Sequence, residues 1–291
     1  MTTLMFRRFL STALLAAVLA ASPFTAAQAT SLAVTERFYE RSLMLEAGRR
    51  CDFFDARAQS ALASATAQAR GAALRAGVEA SELTAVQRRA HGRAAATACD
   101  SPDLGQAAAR VRTAFDGWAR TPSMRFPGSR LAWTADRQTS RQGPRWRLSQ
   151  TSITGASPVV AGQATSLPGD LQVVVSFVGR PRPIGARLIL RDATRAPRPW
   201  LATAGAPLPQ AWARRTIWAG SAAAAPTTLL PAGRTQGEIW VFGGGLDALA
   251  GLDPREVFAV EFLFRDDTVA TVRFEAGDLS AARAFLAMGA V

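Results

Sequence analysis

The chain has no lysine. All 34 basic residues are arginine, set against 22 acids, and there is a single histidine, His91. The missing amine excludes the phosphate-binding P-loop, the protein-kinase mechanism and Schiff-base catalysis, each of which requires it. One histidine excludes two-histidine zinc motifs and leaves at most one Ser-His-Asp combination, through His91. His91 lies one position off an apolar helical stripe, so it reads as a boundary residue between core and solvent. The only two cysteines, Cys51 and Cys99, are not spaced as C-x-x-C, and His91 has no second ligand group at metal spacing. After Thr30 no apolar run reaches 18 residues, so no transmembrane helix is expected.

Charge is scarce on the acidic side, not abundant on the basic side. The net charge of +12 reflects few acids and the complete replacement of lysine by arginine, which keeps its proton. Such arginine and alanine enrichment is ordinary in a GC-rich genome. Removing Arg7 and Arg8 with the signal described below lowers the charge to +10, which still favours anionic partners.

At the N-terminus, Arg7 and Arg8 precede an apolar run from Phe9 to Ala21, and Ala27-Gln28-Ala29 forms an A-x-A site. This order predicts a secretory signal cleaved between Ala29 and Thr30, and hence a periplasmic or secreted protein. No cysteine stands near the cleavage point to take a lipid anchor.

From Thr35 to Arg120 the chain is alanine-rich and nearly free of proline. Helices are predicted at Glu36–Gly48, at Asp55–Ala76 with Gly77 ending it, and at Ser81–Ala98 with Ser81 as cap. A fourth follows the Ser101-Pro102 start signal. Its apolar stripe is Leu104, Ala108, Val111, Phe115 and Trp118. Short connections favour an up-down-up-down bundle. Two helices of about 33 and 27 Å then carry the chain down and back between Cys51 and Cys99. The oxidising compartment completes the prediction of a Cys51–Cys99 disulfide.

Fourteen of the sixteen prolines and six of the seven tryptophans follow Arg120. Thr121 to Gly128 reads as a linker, and period-2 alternation beyond it predicts eight strands. These are Leu131–Ala135, Arg145–Ile153, Leu171–Val178, Ala186–Arg191, Arg215–Ala219, Glu238–Phe242, Val257–Arg265 and Val269–Glu275. In the last hairpin a two-residue turn would bring Arg273 beside Val260 on the apolar face. A three-residue loop, Asp266–Thr268, is therefore predicted, pairing Phe264 with Ala270, Phe262 with Val272 and Val260 with Phe274. A final helix is expected between caps Asp278 and Gly289. The fold class expected is α+β, with a signal over 1–29, a bundle over 30–120, a linker over 121–128 and a sandwich-like antiparallel domain with its helix over 129–291.

Trp218-Ala219-Gly220-Ser221-Ala222 lacks the flanking glycines of a nucleophile elbow. Phe242-Gly243-Gly244-Gly245 reads as a turn, and no dinucleotide or calcium motif is present, so no cofactor or metal is expected. Two acids brought together by folding would suffice for a glycan hydrolase; Asp192, Glu238, Asp253 and Glu256 are the candidates. The strongest surface signal spans Gly179 to Trp200, where Arg180, Arg182, Arg195 and Arg198 alternate with prolines and lead to Trp200 and Trp212. Guanidinium groups beside aromatics bind phosphate-like groups by paired hydrogen bonds and stacking. In an exported protein this points to an anionic envelope glycolipid or another envelope protein, not nucleic acid. The leading expectation is a non-enzymatic envelope binding or scaffold module, and the alternative a carboxylate hydrolase of envelope glycans.

Cys51, Cys99, Phe115-Asp116-Gly117-Trp118, Trp146-Arg147-Leu148-Ser149-Gln150 and Gly277-Asp278-Leu279 carry a resemblance. With them the mature chain resembles uncharacterised exported proteins of arginine-rich, high-GC proteobacteria. The resemblance implies no activity, cofactor or site.

Overall fold

A computed structural model describes residues 23–139, 143–165, 170–201 and 208–291. Four helices come first: α1 (Pro23–Cys51), α2 (Ala56–Arg75), α3 (Ala80–Ala96) and α4 (Pro102–Ala119). The expected signal falls largely on residues 1–22, outside the described residues; Ala29 and Thr30 lie within α1. The start signals explain most boundaries. Asp55 accepts from the Ala58 N–H as N-cap of α2, Pro102 opens α4, and Gly77 takes the left-handed conformation that ends α2, with φ 88°. Ser81, expected to cap α3, lies inside it. The cap is Glu79, in extended backbone, because buried Val78 and Gly77 set the turn two residues earlier.

Helix α1 is the spine of the bundle, packed along both α2 and α3, while α4 rests mainly on α2. Leu83, Val86, Ala90 and Ala94 of the α3 stripe are all buried. The disulfide forms as expected: Cys51 and Cys99 bond across a Cα–Cα distance of 5.6 Å and a sequence separation of 48.

Among the described residues eleven strands form two antiparallel sheets. The larger runs in the order β1 (Ser123–Pro127), β2 (Ala132–Asp136), β3 (Trp146–Thr154), β4 (Ser157–Ala164), β5 (Leu171–Val175), β9 (Glu238–Phe242) and β8 (Ser221–Ala224). The smaller is β11 (Val269–Glu275), β10 (Val257–Leu263), β6 (Gly185–Arg191) and β7 (Arg214–Trp218). Three strands were not expected. The segment taken for a linker contains β1, a proline-ended edge strand whose Phe126 is buried beneath Phe285. Strand β4 escapes pattern reading because Gly162 lies flat against the Leu148 carbonyl, where a Cβ would collide. Strand β8 is four small exposed residues.

The last hairpin corrects the expected register. Phe262 pairs with Ala270, Val260 with Val272 and Phe258 with Phe274, two residues from the predicted alignment, so Glu261 faces Thr271 instead of Arg273. The loop does hold three residues, but they are Arg265 to Asp267, closed by the Phe264 N–H on the Thr268 carbonyl at 3.0 Å. Asp267 takes a left-handed conformation, φ 61°, and Asp266 accepts from the Thr268 N–H and hydroxyl. A shift of two preserves the face, and the three phenylalanines and their partners stay buried.

Two short helices complete the chain, α5 (Gly245–Ala250) and α6 (Leu279–Leu286). Helix α6 lies between β1–β3 and α2. Ser64 of α2 donates to the Ala281 carbonyl, 217 positions away, at 2.8 Å, and Ala61 belongs to the same buried cluster as the sheets. Asp278 does precede α6, but its side chain makes no cap. Arg75 takes both its oxygens, each at 2.8 Å.

Candidate functional site

The arginine–tryptophan segment is contiguous in sequence and divided in space. Strand β6 lies in its middle, and seven extended residues span roughly 20 Å. Arg180 and Arg182 precede it; Arg195, Arg198 and Trp200 follow it, and Trp212 lies before β7. Arg195 is exposed and pairs with Asp192 at 3.5 Å. Arg198 is exposed. Trp200 is half-buried and its backbone N–H donates to Glu256 at 3.0 Å, while Trp212 is 58% exposed and donates to Gln210 at 2.9 Å.

Arg180 and Arg182 do come together. With Phe177, Ala224, Gln236 and Glu238 they line an open groove of about 470 Å³ between the β5–β6 turn and the adjoining ends of β8 and β9. Two prolines, Pro181 and Pro183, stiffen the turn. Arg180 lies over the Phe264 ring, 5.3 Å from its centroid. Phe177 packs edge-on against Phe262 and Phe264, which fixes the wall behind it. Arg182 pairs with Glu238, but its own side chain is 64% exposed. The Glu238 side chain is only 15% exposed, so the pair is open to water on the Arg182 side alone, and that is where an incoming anion can approach.

Of the four candidate acids, Asp253 and Glu256 lie together and Glu238 stands apart at the groove, and all four are engaged. Asp192 accepts from the hydroxyl and N–H of Thr194, which together hold its carboxyl below the usual range. Glu238 belongs to the groove. Glu256 and Asp253 lie at the start of β10, and each is clasped by a guanidinium. Arg191 Nε and Nη2 donate to the two oxygens of Glu256 at 2.5 and 2.8 Å. Arg255 Nε and Nη2 donate to Asp253 at 2.9 and 3.1 Å. The hydrogen bond to Glu256 raises Arg191 above its ordinary value, and that to Asp253 raises Arg255. Glu256 also accepts from the backbone of Asp253 and Trp200, so its lone pairs are spent on structure. Arg191, the last residue of β6, is 5% exposed because the chain from Ala196 to Trp200 folds over it.

A buried arginine went unpredicted. Arg137 is fully buried without a carboxylate partner among the described residues. Its Nε donates to the Gly289 carbonyl at 2.6 Å and Nη1 to those of Trp118, Ala119 and Thr121. Burial lowers its pKa, with Arg57 and Arg147 acting the same way. It stands at the carboxyl ends of α4 and α6, where aligned peptide dipoles present partial negative charge. Only its place after an alternating strand could have hinted at burial.

Gly243 and Gly244 form a turn, with Gly244 left-handed at φ 67° and donating to Asp170, and Gly245 opens α5. His91 is half-buried on α3. Among the described residues no group of three or more His, Cys, Asp or Glu side chains is placed to hold a metal ion, and no helix is long and apolar enough to cross a membrane. Comparison with protein families, characterised proteins and solved structures finds no match for this chain.

Proposed function

We propose that this chain is an exported, periplasmic binding module without catalytic function, which receives an anionic envelope glycolipid in the groove at Arg180 and Arg182. The observation that carries the reading is the convergence of these two arginines on one open groove, with the Arg182 side chain 64% exposed to it. Export is supported by the basic-apolar-small order of the N-terminus and by a disulfide that suits an oxidising compartment. A non-catalytic role accords with Asp253 and Glu256 being saturated by donors.

Co-sedimentation with vesicles carrying an anionic envelope glycolipid, compared with neutral vesicles, tests the reading. R180Q/R182Q is expected to lose about tenfold in retention, the scale of one charge-assisted contact. R195Q/R198Q, altered at the other end of β6, is expected to keep it. E238Q should release Arg182 and increase retention. If R180Q/R182Q sediments like the parent protein, the groove is not the site.

A further inference from the structure

The fourth helix carries a second, unrelated signal. Its apolar stripe starts under cover, with Leu104 and Ala108 buried, but Val111 and Phe115 are only half-buried. The cause is the packing of the bundle: α1 runs along α2 and α3 and scarcely touches α4. On the opposing side Tyr39 and Leu43 of α1 are likewise half-buried, and buried Met44 and Leu62 form the floor. Together they enclose a mainly apolar groove of about 540 Å³, within the range of small-molecule sites and far short of what a helical peptide needs.

Two cations stand at its margins, Arg41 on α1 and Arg110 on α4. Neither has an ion-pair partner among the described residues, and the one acid on the lining is exposed Glu40. Arg41 is half-buried and uses one N–H on the Ala65 carbonyl at 2.8 Å. Burial lowers its pKa, as does Arg37, while Glu40 opposes them. A partly desolvated guanidinium with unused donors, set beside half-open apolar side chains, is matched by a carboxylate at the end of an alkyl chain.

We infer that the α1–α4 groove binds a single-chain amphiphile with an anionic head, a long-chain carboxylate, its chain along Leu43, Val111 and Phe115 and its head between Arg41 and Arg110. The site is separate from the groove at Arg180 and Arg182 and does not depend on it.

The test is displacement of dansyl-undecanoate from the full-length protein below the micellar range. Dodecanoate is expected to displace the probe at least tenfold better than dodecanol, and dodecyltrimethylammonium to compete least. R41Q/R110Q should bring dodecanoate down to the level of dodecanol, and V111E should abolish binding. R180Q/R182Q should change nothing. R110Q alone guards against misfolding, since Arg110 is exposed; it is expected to weaken dodecanoate severalfold at an unchanged melting temperature. Absence of saturable probe binding, or equal displacement by all three amphiphiles with R110Q and R41Q/R110Q like the parent, overturns the inference.

Discussion

At the far end of the bundle, α1 and α3 are tied by the Cys51–Cys99 bond, and the interior nearby is Met44, Ala47, Phe54, Leu62 and Leu104. Among the described residues no ion pair joins two of the four bundle helices. Where α2 meets the sheets the means are different. Arg75 holds Asp278, Arg255 holds Asp253 and also reaches the Leu74 carbonyl at 3.3 Å, and beside them, within the β region, Arg191 holds Glu256. Local helical contacts between small side chains bury little area each, so a covalent closure adds a large share of stability there. At the junction, segments some 200 positions apart must be matched, and a planar guanidinium supplies the two-pronged geometry that an amine lacks. A chain without lysine has that geometry at every cation.

The sharpest way to break this contrast is Glu256→Ala. It leaves Arg191 buried without its partner, and the expected loss is about 3–5 kcal/mol, read by denaturant unfolding. Replacing both, as R191M/E256L, should cost far less, because no orphaned charge remains. On the bundle side, C51S/C99S removes closure of a 48-residue loop. It should cost about 2–4 kcal/mol and raise amide exchange in α1 and α3 before it does so in the sheets. A loss spread evenly over the molecule would erase the distinction between the two regions.

The smallest effect concerns pH. Burial raises the Asp278 carboxyl above its ordinary value of 3.8, against the pull of Arg75. A carboxyl with a raised folded pKa binds its proton more readily in the folded state. Its contribution is therefore fully present below the unfolded value and is lost as pH rises through the folded one. The stability difference between the parent protein and D278N should thus shift in the parent's favour as pH falls from 7 toward 4; a constant difference would show that Arg75 cancels the burial cost.

Periodicity made much of the fold legible. The α3 stripe, the alternating face of β10 and the return of the chain that joins Cys51 to Cys99 all follow from spacing. Where pattern reading failed, a contact distant in sequence was responsible. Asp278 looks like a helix cap and is claimed by Arg75; Arg191 ends a predicted strand and is roofed by residues 196–200; Gly162 lies where no strand is predicted and is a close approach between strands. The hairpin kept its face and lost its register because Asp267 accepts a left-handed backbone, which no alternation pattern encodes. Only half of the candidate binding segment was legible, since a run of arginines in sequence does not reveal that a strand will carry its two halves apart. The α4 stripe was visible, but its partial exposure was not, because that depends on which neighbour α1 chooses.

The seam between α2 and α6 has a consequence for the order of assembly. Both cysteines are made within the first 99 residues, whereas the Ala281 carbonyl that receives Ser64 arrives about 180 residues later, some 10–40 s at ~5–20 residues per second. Through that interval the flank of α2 bearing Ala61, Ser64 and Gly71 has no cover. The last helix to be synthesised therefore supplies the cover for a face built from the first third of the chain.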